Sequence, residues 1–505
     1  MKFNIFKRGA NVANNYEGAK AYKLTPEMEL YSAVVTAGLS DTFYEKEETR
    51  LARIKELMSK NNPEFVAKLA VYARNEMYMR SIPMVLAVEL AKANSGNPVV
   101  SKAVTGVVKR ADEITELLAY YQLANKRTEV KKLNKLSKQI QKGLSDSFNR
   151  FDEYQFAKYN RDTEIKLRDA LFLVHPKAKN EEQQSLFNKI AANELTVPYT
   201  WETELSSLGQ KRFESPKAKA EAVKAKWEEL IDSGMLGYMA LMRNLRNILQ
   251  AQVSSEHVAK VCNQLANERA VANAKQLPFR FLSAYREIKN LPSEYATMVL
   301  NALEDAVIAS AKNMKGFDES TRVLIACDVS GSMQKPISLN SKVLLFDVGL
   351  MLGMLMQSKC KRVVTGMFGD TWKVINMPNR YVLSNVETYY SREGEVGYAT
   401  NGYKVIDYLT TRGEVMDKVM IFTDCQLWDS QLIGASMKSS WSKYKKIAPN
   451  AKLYLFDLAG YGKTPLSVQN NDVCFIAGWS DKVFDVLNSI ENGENAIEKI
   501  NQVIL

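Results

Sequence analysis

Apolar positions recur with a helical period over residues 25–315. For example, Phe65, Leu69 and Tyr72 share one helical face directly after the helix-start signal Asn62-Pro63. Similar stripes follow, each roughly 10–18 residues long and joined by short segments marked by proline or glycine. The pattern predicts stacked antiparallel helix pairs, as in HEAT-type solenoids, although the sequence has no clean repeat period.

The pattern changes at Thr321. The run Arg322–Asp328 is apolar without alternation, which is typical of a parallel strand buried on both faces. Further strand-like runs alternate with helix-like segments, at 362–367, 418–423, 452–457 and 473–476. Such alternation favours a doubly wound parallel sheet. The predicted fold class is therefore α+β multidomain, with α-helical repeats followed by an α/β domain.

Length and charge refine this picture. A chain of 505 residues is too long for one ordinary core. Of its 68 basic and 57 acidic residues, 48 and 39 precede residue 321, so +9 of the net +11 belongs to the helical part. A basic domain suggests an anionic partner, most often nucleic acid. A merely solvated basic surface is the alternative.

The cysteines and the N-terminal residues give information on the cellular location of the protein. The five cysteines form no Cys-x-x-Cys pair, so neither a zinc site nor a disulfide framework is expected. The first residues lack the apolar region of a secretion signal, and no apolar stretch approaches the roughly 20 residues that span a bilayer. We therefore expect a cytoplasmic protein without a membrane partner.

Polar side chains follow two of the predicted strands. Asp328, Ser330 and Ser332 come directly after the first strand, Asp424 ends a later one, and Thr400 lies in a polar loop. Because ligands of such sheets bind at the carboxyl ends of the strands, we expect these oxygens to converge on a divalent cation, Mg²⁺ in first place. Polar caps at strand ends, holding no metal, are the alternative.

This arrangement resembles the metal-ion-dependent adhesion site of von Willebrand factor A domains. In that family an Asp-x-Ser-x-Ser motif, a loop threonine and a later aspartate surround the ion. The resemblance implies metal ligands at Asp328, Ser330, Ser332, Thr400 and Asp424. It also implies an open coordination position that a partner's carboxylate fills.

Two stretches of the helical part resemble signatures of the TROVE module of the Ro autoantigen family. These are Arg74–Pro83 and Tyr238–Asn247, and the run Val261–Arg269 with Leu277-Pro278-Phe279 extends the second. A von Willebrand A domain after a TROVE module is the Ro architecture. The resemblance thus covers nearly the whole chain and suggests a bacterial or phage-like Ro protein.

The sparse helical pattern of the first residues predicts an N-terminal arm at 1–24. The resemblance implies a helical TROVE ring at 25–318 and an A domain at 319–505 that closes the ring. Ro proteins bind small noncoding Y RNAs on the outer surface and single-stranded 3′ ends of misfolded RNAs in the central hole. They act in RNA quality control, sometimes as adaptors for exonucleases, without established catalytic activity. We accordingly expect a monomeric RNA-binding scaffold that is not an enzyme.

Seven residues are predicted to contact RNA. Arg74 and Arg80 precede Pro83, and Arg243 and Arg246 share one helical face, where guanidinium groups suit phosphate oxygens. The alternative is that these arginines brace adjacent repeats. By resemblance to the Ro surface, the remaining three are Lys158, Arg161 and His175; His175 could instead cap a helix before Pro176.

Two rival functions remain open. In the first, the chain is a protein-binding adaptor that uses the metal site, and its basic helices are incidental. In the second, it is a metal-dependent nuclease, which is disfavoured because no histidine or spare carboxylate stands in the motif loops as a general base.

Overall fold

The computed structural model describes residues 12–14, 20–37, 47–126, 136–160, 162–274, 276, 278–311, 320–337, 341–358, 360, 362–378, 380–427, 436–467, 472–478 and 496–505. These residues separate into two compact units. The helical unit comprises residues 58–261 and 500–505. The α/β unit comprises residues 1–57 and 262–499. The unit boundaries at 57/58 and 261/262 fall within helices and follow from contacts in the structure. The limits at 24 and 318 were predicted for sequence modules, and they stay a prediction.

The helices and strands are numbered in chain order. They are β1 (Val12–Asn14), β2 (Lys20–Lys23), α1 (Pro26–Val35), α2 (Glu47–Ser59), α3 (Pro63–Asn75), α4 (Ser81–Ala93), α5 (Val99–Val107), α6 (Asp112–Ala124), α7 (Lys138–Phe148), α8 (Glu153–Tyr159), α9 (Leu167–Val174), α10 (Glu181–Ala192), α11 (Trp201–Gly209), α12 (Pro216–Asp232), α13 (Tyr238–Gln250), α14 (Ser255–Ala266), α15 (Glu268–Ala274), α16 (Pro278–Lys289), α17 (Ala296–Ala311), β3 (Arg322–Asp328), α18 (Leu345–Gln357), β4 (Arg362–Phe368), β5 (Trp372–Val374), α19 (Val382–Tyr390), α20 (Tyr403–Arg412), β6 (Lys418–Thr423), α21 (Met437–Tyr444), β7 (Lys452–Asp457), β8 (Lys463–Thr464), β9 (Val473–Ala477) and α22 (Ala496–Asn501).

The helical unit packs sequential helices against one another. Helix α3 contacts α4 and α5, α5 contacts α7, α9 contacts α10, and α11 contacts α12. Local signals set the helix starts: the Asn62 side chain accepts a bond from the Glu64 amide, and Pro63 occupies the first turn of α3. Phe65, Leu69 and Tyr72 are buried, as their spacing predicts. The predicted stack of helix pairs is confirmed.

The α/β unit is built on a six-stranded sheet with the order β5-β4-β3-β6-β7-β9. All neighbours are parallel except β5, which pairs antiparallel with β4. Residues of β3 alternate between the two faces. Leu324 and Ala326 join a core with α20 and α21, whereas Ile325 lies against Gly353 of α18. Helices thus cover both faces, which confirms the doubly wound α/β fold.

The N-terminal residues contribute to the α/β unit in a way that the sequence did not predict. Strands β1 and β2 form a small antiparallel sheet with β8. Helix α1 packs on β9, where the Tyr31 hydroxyl donates to the Ala477 carbonyl at 3.1 Å. Most of the predicted arm at 1–24 lies outside the described residues. Strand β5 and helix α19 also went unpredicted.

Candidate functional site

The predicted metal residues lie at the carboxyl edge of the large sheet. Asp328 is the last residue of β3, and Asp424 follows β6, the parallel neighbour of β3. Ser330 directly precedes a short 3-10 helix that begins at Gly331, and Ser332 lies within it. All four side chains are buried, with exposures of 3% or less.

Asp328 is held in place by its neighbours on both strands. Its Oδ1 accepts a bond from the Ser330 amide at 2.9 Å, and its Oδ2 accepts one from the Thr423 hydroxyl at 2.7 Å. The Ser330 and Ser332 hydroxyls lie 3.1 Å apart. The motif thus folds back over the strand end and brings one carboxylate and two hydroxyls together.

Asp424 carries the clearest electrostatic signature. Its Oδ1 accepts a bond from the Gln426 amide at 3.0 Å, but its buried Oδ2 has no hydrogen-bond partner. Burial, followed by the negative charge of Asp328, raises the pKa of Asp424. An unpartnered carboxylate oxygen in a buried site is costly unless something pairs with it. A bound cation is one such partner.

Thr400 is buried in the loop before α20. The loop is tied to the end of β4, because the Asn401 amide donates to the Gly369 carbonyl at 3.1 Å. Phe368, which precedes Gly369, pairs with Asp328 across the sheet. Thr400 therefore belongs to the same edge. Next to it, the buried Oδ1 of Asn401 also lacks a hydrogen-bond partner.

The donor set fits a hard divalent cation. The five predicted residues offer two carboxylates and three hydroxyls, all of them oxygen donors. Within the described parts of the chain, no three histidine, cysteine or acidic side chains gather into a metal-binding group. A cation at this edge would therefore depend on hydroxyl oxygens in addition to the two carboxylates.

A third buried carboxylate, Asp457, ends β7 on the same sheet. Its Oδ2 accepts a bond from the Ser32 hydroxyl of α1 at 2.6 Å, and its Oδ1 accepts the Ala459 and Gly460 amides at 3.1 and 2.7 Å. These partners make it a structural anchor for α1. Sequence reasoning missed it, although an aspartate at the end of an apolar run was an available signal.

Arg74 and Arg80 lie in an ion-pair network between α3, α4 and α6. The Glu113 Oε1 accepts bonds from Arg74 Nη2 at 2.8 Å and Arg80 Nε at 3.2 Å. Arg80 also bonds Asp112 and Glu116. Glu113 is fully buried, and its Oε2 accepts two backbone amides. This geometry favours the bracing alternative for both arginines.

Four other predicted RNA contacts are exposed and lie on separate elements. Lys158 is near the end of α8, His175 follows α9, and Arg243 and Arg246 share the outer face of α13. Arg161 lies outside the described residues. His175 adopts a left-handed backbone with φ of 48° that ends α9, so it does terminate the helix while its imidazole stays exposed.

Aromatic side chains accompany Lys158, and the sequence reading did not single them out. The Lys158 ammonium lies 5.6 Å from the Tyr154 ring centroid and 5.8 Å from that of Tyr159. Arg110 lies over the Tyr159 ring at 4.2 Å. Cations and tyrosines interleaved on one surface are typical of sites that contact both phosphates and bases.

The chain is similar to several known proteins. Telomerase protein component 1 of Mus musculus is 26% identical over 311 residues, covering 46% of this chain and 11% of the mouse protein. The Rattus norvegicus counterpart is 25% identical over 310 residues, with the same coverage. The chain therefore spans only a small part of the curated relatives' length.

A solved structure extends the likeness to the fold. The crystal structure of the Deinococcus radiodurans RO (RSR) protein matches with a TM-score of 0.61 at 16% identity, covering 93% of this chain and 100% of that one. In the described part of this chain, no helix is long and apolar enough to cross a membrane.

The TROVE domain family matches residues 23–225 and 193–306, which together exceed half of the sequence. The chain therefore belongs to the TROVE domain family.

Proposed function

We propose that this protein is an RNA-binding ribonucleoprotein scaffold of the Ro type. Structured small noncoding RNA, similar to Y RNA, binds the outer surface of the helical repeats. Single-stranded 3′ ends of misfolded RNAs enter a central opening, in a role in RNA quality control. The observation that carries the proposal is the TROVE match over residues 23–306, which contain most of the excess positive charge.

Exposed side chains of the helical unit support this function. Lys158, His175, Arg243 and Arg246 are exposed to solvent, and lysine and arginine suit phosphate oxygens. Arg74 and Arg80 are engaged with carboxylates, and we assign them to the support of the fold. The tyrosines beside Lys158 add surfaces on which unpaired bases stack.

We further propose that the sheet edge holds a divalent cation, Mg²⁺ in first place. Asp328, Ser330, Ser332, Thr400 and Asp424 would supply its ligands. The unpartnered Oδ2 of Asp424 supports this assignment. The cation would supply a Lewis-acidic docking point for a carboxylate of a protein partner, such as an exonuclease. We propose no turnover, a monomeric state and a cytoplasmic location.

A salt titration of RNA binding tests the main proposal. Affinity for a structured small RNA should fall steeply with salt, because phosphate contacts release counterions. The Lys158→Ala/His175→Ala variant should bind more weakly, with a salt slope lower by about 1 for the one lysine charge that it removes. The matched variant Lys217→Ala, which removes one exposed lysine charge on α12, should change less. Equal behaviour of the two variants would contradict the outer-surface assignment.

A metal-dependent protein adaptor is the second candidate, favoured by the buried unpartnered oxygen of Asp424. The Asp328→Ala variant separates the candidates. Under the RNA-binding proposal it keeps most RNA affinity while losing Mg²⁺ binding in calorimetry. If this variant stayed folded and lost RNA binding, the separation of the two roles would be wrong. Incubation of labelled RNA with Mg²⁺ and the protein should yield no cleavage products.

A further inference from the structure

Two neighbouring helices of the helical unit carry basic residues on them and just beyond their ends. Lys102 lies on α5, and Lys109 lies two residues after the end of this helix. Lys142 lies on α7, and Arg150 lies two residues after its end. Because α5 packs against α7, these four residues line one groove.

Glycine makes the approach of these helices close. A Cβ added at Gly143 of α7 would lie 2.6 Å from the Val104 side chain and 2.7 Å from the Ser101 carbonyl oxygen of α5. The Thr105 hydroxyl of α5 reaches the Gly143 carbonyl at 3.4 Å. The short distance between the backbones holds the cations of both helices on the walls of one cavity.

The cavity has a volume of about 410 Å³ and is open to solvent. The side chains that line it include four cations and one carboxylate, with apolar surface from Val71, Ile504 and Leu505. The four cations are Lys102, Lys109, Lys142 and Arg150, and the carboxylate is Asp146. Across the described residues, no carboxylate forms an ion pair with the three lysines. The cavity therefore carries an excess of positive charge.

Arg150 is fixed in position at this cavity. Its Nη2 donates to the Val108 carbonyl at 2.6 Å and to the Ser147 hydroxyl at 3.0 Å, which spans the ends of both helices. Burial, then the positive charges of Arg150 and Arg74, lowers the pKa of Lys109. Crowded cations of this kind repel one another, and an anion that binds among them relieves the repulsion.

We propose that the groove between α5 and α7 binds a phosphate group of RNA through Lys102, Lys109, Lys142 and Arg150. The inference rests on the proposed RNA-binding function and adds a site separate from Lys158 and His175. Lysine ammonium groups supply mobile charge, and the guanidinium of Arg150 supplies fixed donors. The phosphate belongs either to a 5′ end, as a dianionic monoester, or to the backbone, as a monoanionic diester.

The test measures binding of short single-stranded RNA with a 5′-phosphate or a 5′-hydroxyl by fluorescence anisotropy over a range of salt concentrations. The variant Lys109→Gln/Lys142→Gln removes two cations whose side chains hold no ion pair in the described structure. The matched variant Lys211→Gln/Lys217→Gln removes the same charge elsewhere in the helical unit. Circular dichroism checks that both variants fold.

We expect the groove variant to bind about tenfold or more weakly, with a salt slope reduced by about 1.4 for two contacts to single-stranded RNA. A 5′-phosphate preference in the natural protein that disappears in the variant assigns the site to RNA ends. Equal weakening for both RNAs assigns it to the backbone. If the natural protein binds RNA and the groove variant matches the control, the groove proposal alone fails. Absence of RNA binding by the natural protein would overturn the proposed function as well.

Discussion

Replacing Glu113 should destabilise the helical unit strongly. Its buried carboxylate accepts four bonds: Arg74 Nη2 at 2.8 Å, Arg80 Nε at 3.2 Å, and the Lys109 and Arg110 amides at 2.7 and 3.1 Å. In Glu113→Ala both guanidinium groups lose this partner, and two backbone donors lose their acceptor. Removing one member of a buried ion pair typically costs about 3–5 kcal/mol. We therefore expect a loss of at least about 3 kcal/mol.

Hydrogen exchange followed by mass spectrometry measures this loss where it occurs. Because each 1.4 kcal/mol is a factor of ten, amides of α3 and α6 that exchange by cooperative opening should exchange about a hundredfold faster or more. The control Glu64→Ala on α3 removes a surface pair with Lys68, in which Glu64 is 62% exposed, and should cost under about 1 kcal/mol. Exchange in Glu113→Ala that matched this control would refute the bracing role.

The same network predicts how Arg74 behaves toward RNA. Arg74 is 13% exposed and paired with Glu113, so its charge is largely neutralised inside the protein. Arg74→Leu should accelerate exchange in α3 and α6, while RNA affinity of the folded protein stays within about twofold. If Arg74→Leu lost RNA binding while hydrogen exchange stayed unchanged, the result would instead support the prediction that Arg74 contacts RNA.

Three further changes probe packing and the metal site. Gly143→Ala should destabilise the helical unit by about 1–3 kcal/mol in urea unfolding, because its Cβ meets α5, whereas Gly209→Ala, with open space around it, should be neutral or slightly stabilising. Arg286→Ala leaves the buried Asp347 without a bidentate partner at 2.6 and 2.7 Å and should lower the free energy of unfolding by about 3 kcal/mol in the same assay. Saturating Mg²⁺ at about 100 times its Kd should raise the stability of the α/β unit by about 2.7 kcal/mol, and Asp424→Asn should abolish this gain in thermal unfolding.

Much of the fold could be predicted because its signals are local. The apolar run Arg322–Asp328 marks a buried strand whatever surrounds it. The start of α3 is set locally too, by the Asn62 side chain and by Pro63 in the first turn. Contacts between distant parts of the chain leave no such mark. The packing of α1 on β9 depends on Tyr31 and Ala477, which are 446 residues apart.

The two candidate sites differed in predictability for a physical reason. The two predicted carboxylate ligands follow adjacent parallel strands, so the sheet topology alone brings Asp328 and Asp424 to one edge. The arginines of the helical part depend on partners from other helices. Arg74 is 39 residues from Glu113, and nothing in the sequence around either residue indicates that their side chains form an ion pair.

A basic residue therefore points to RNA only when its charge is left uncompensated, and residue type cannot decide that. The arginines at 74 and 80 match a family signature, yet Glu113, Asp112 and Glu116 neutralise them within the helical unit. Lys109 follows no recognisable motif, yet burial and neighbouring cations depress its pKa against the weaker attraction of Glu113. In the described structure its ammonium group forms no ion pair with a carboxylate. A phosphate binds more favourably to unpaired cations than to paired ones, because no ion pair within the protein has to be broken first. The α5–α7 groove is, on this argument, a stronger candidate for phosphate binding than the arginines of the signature.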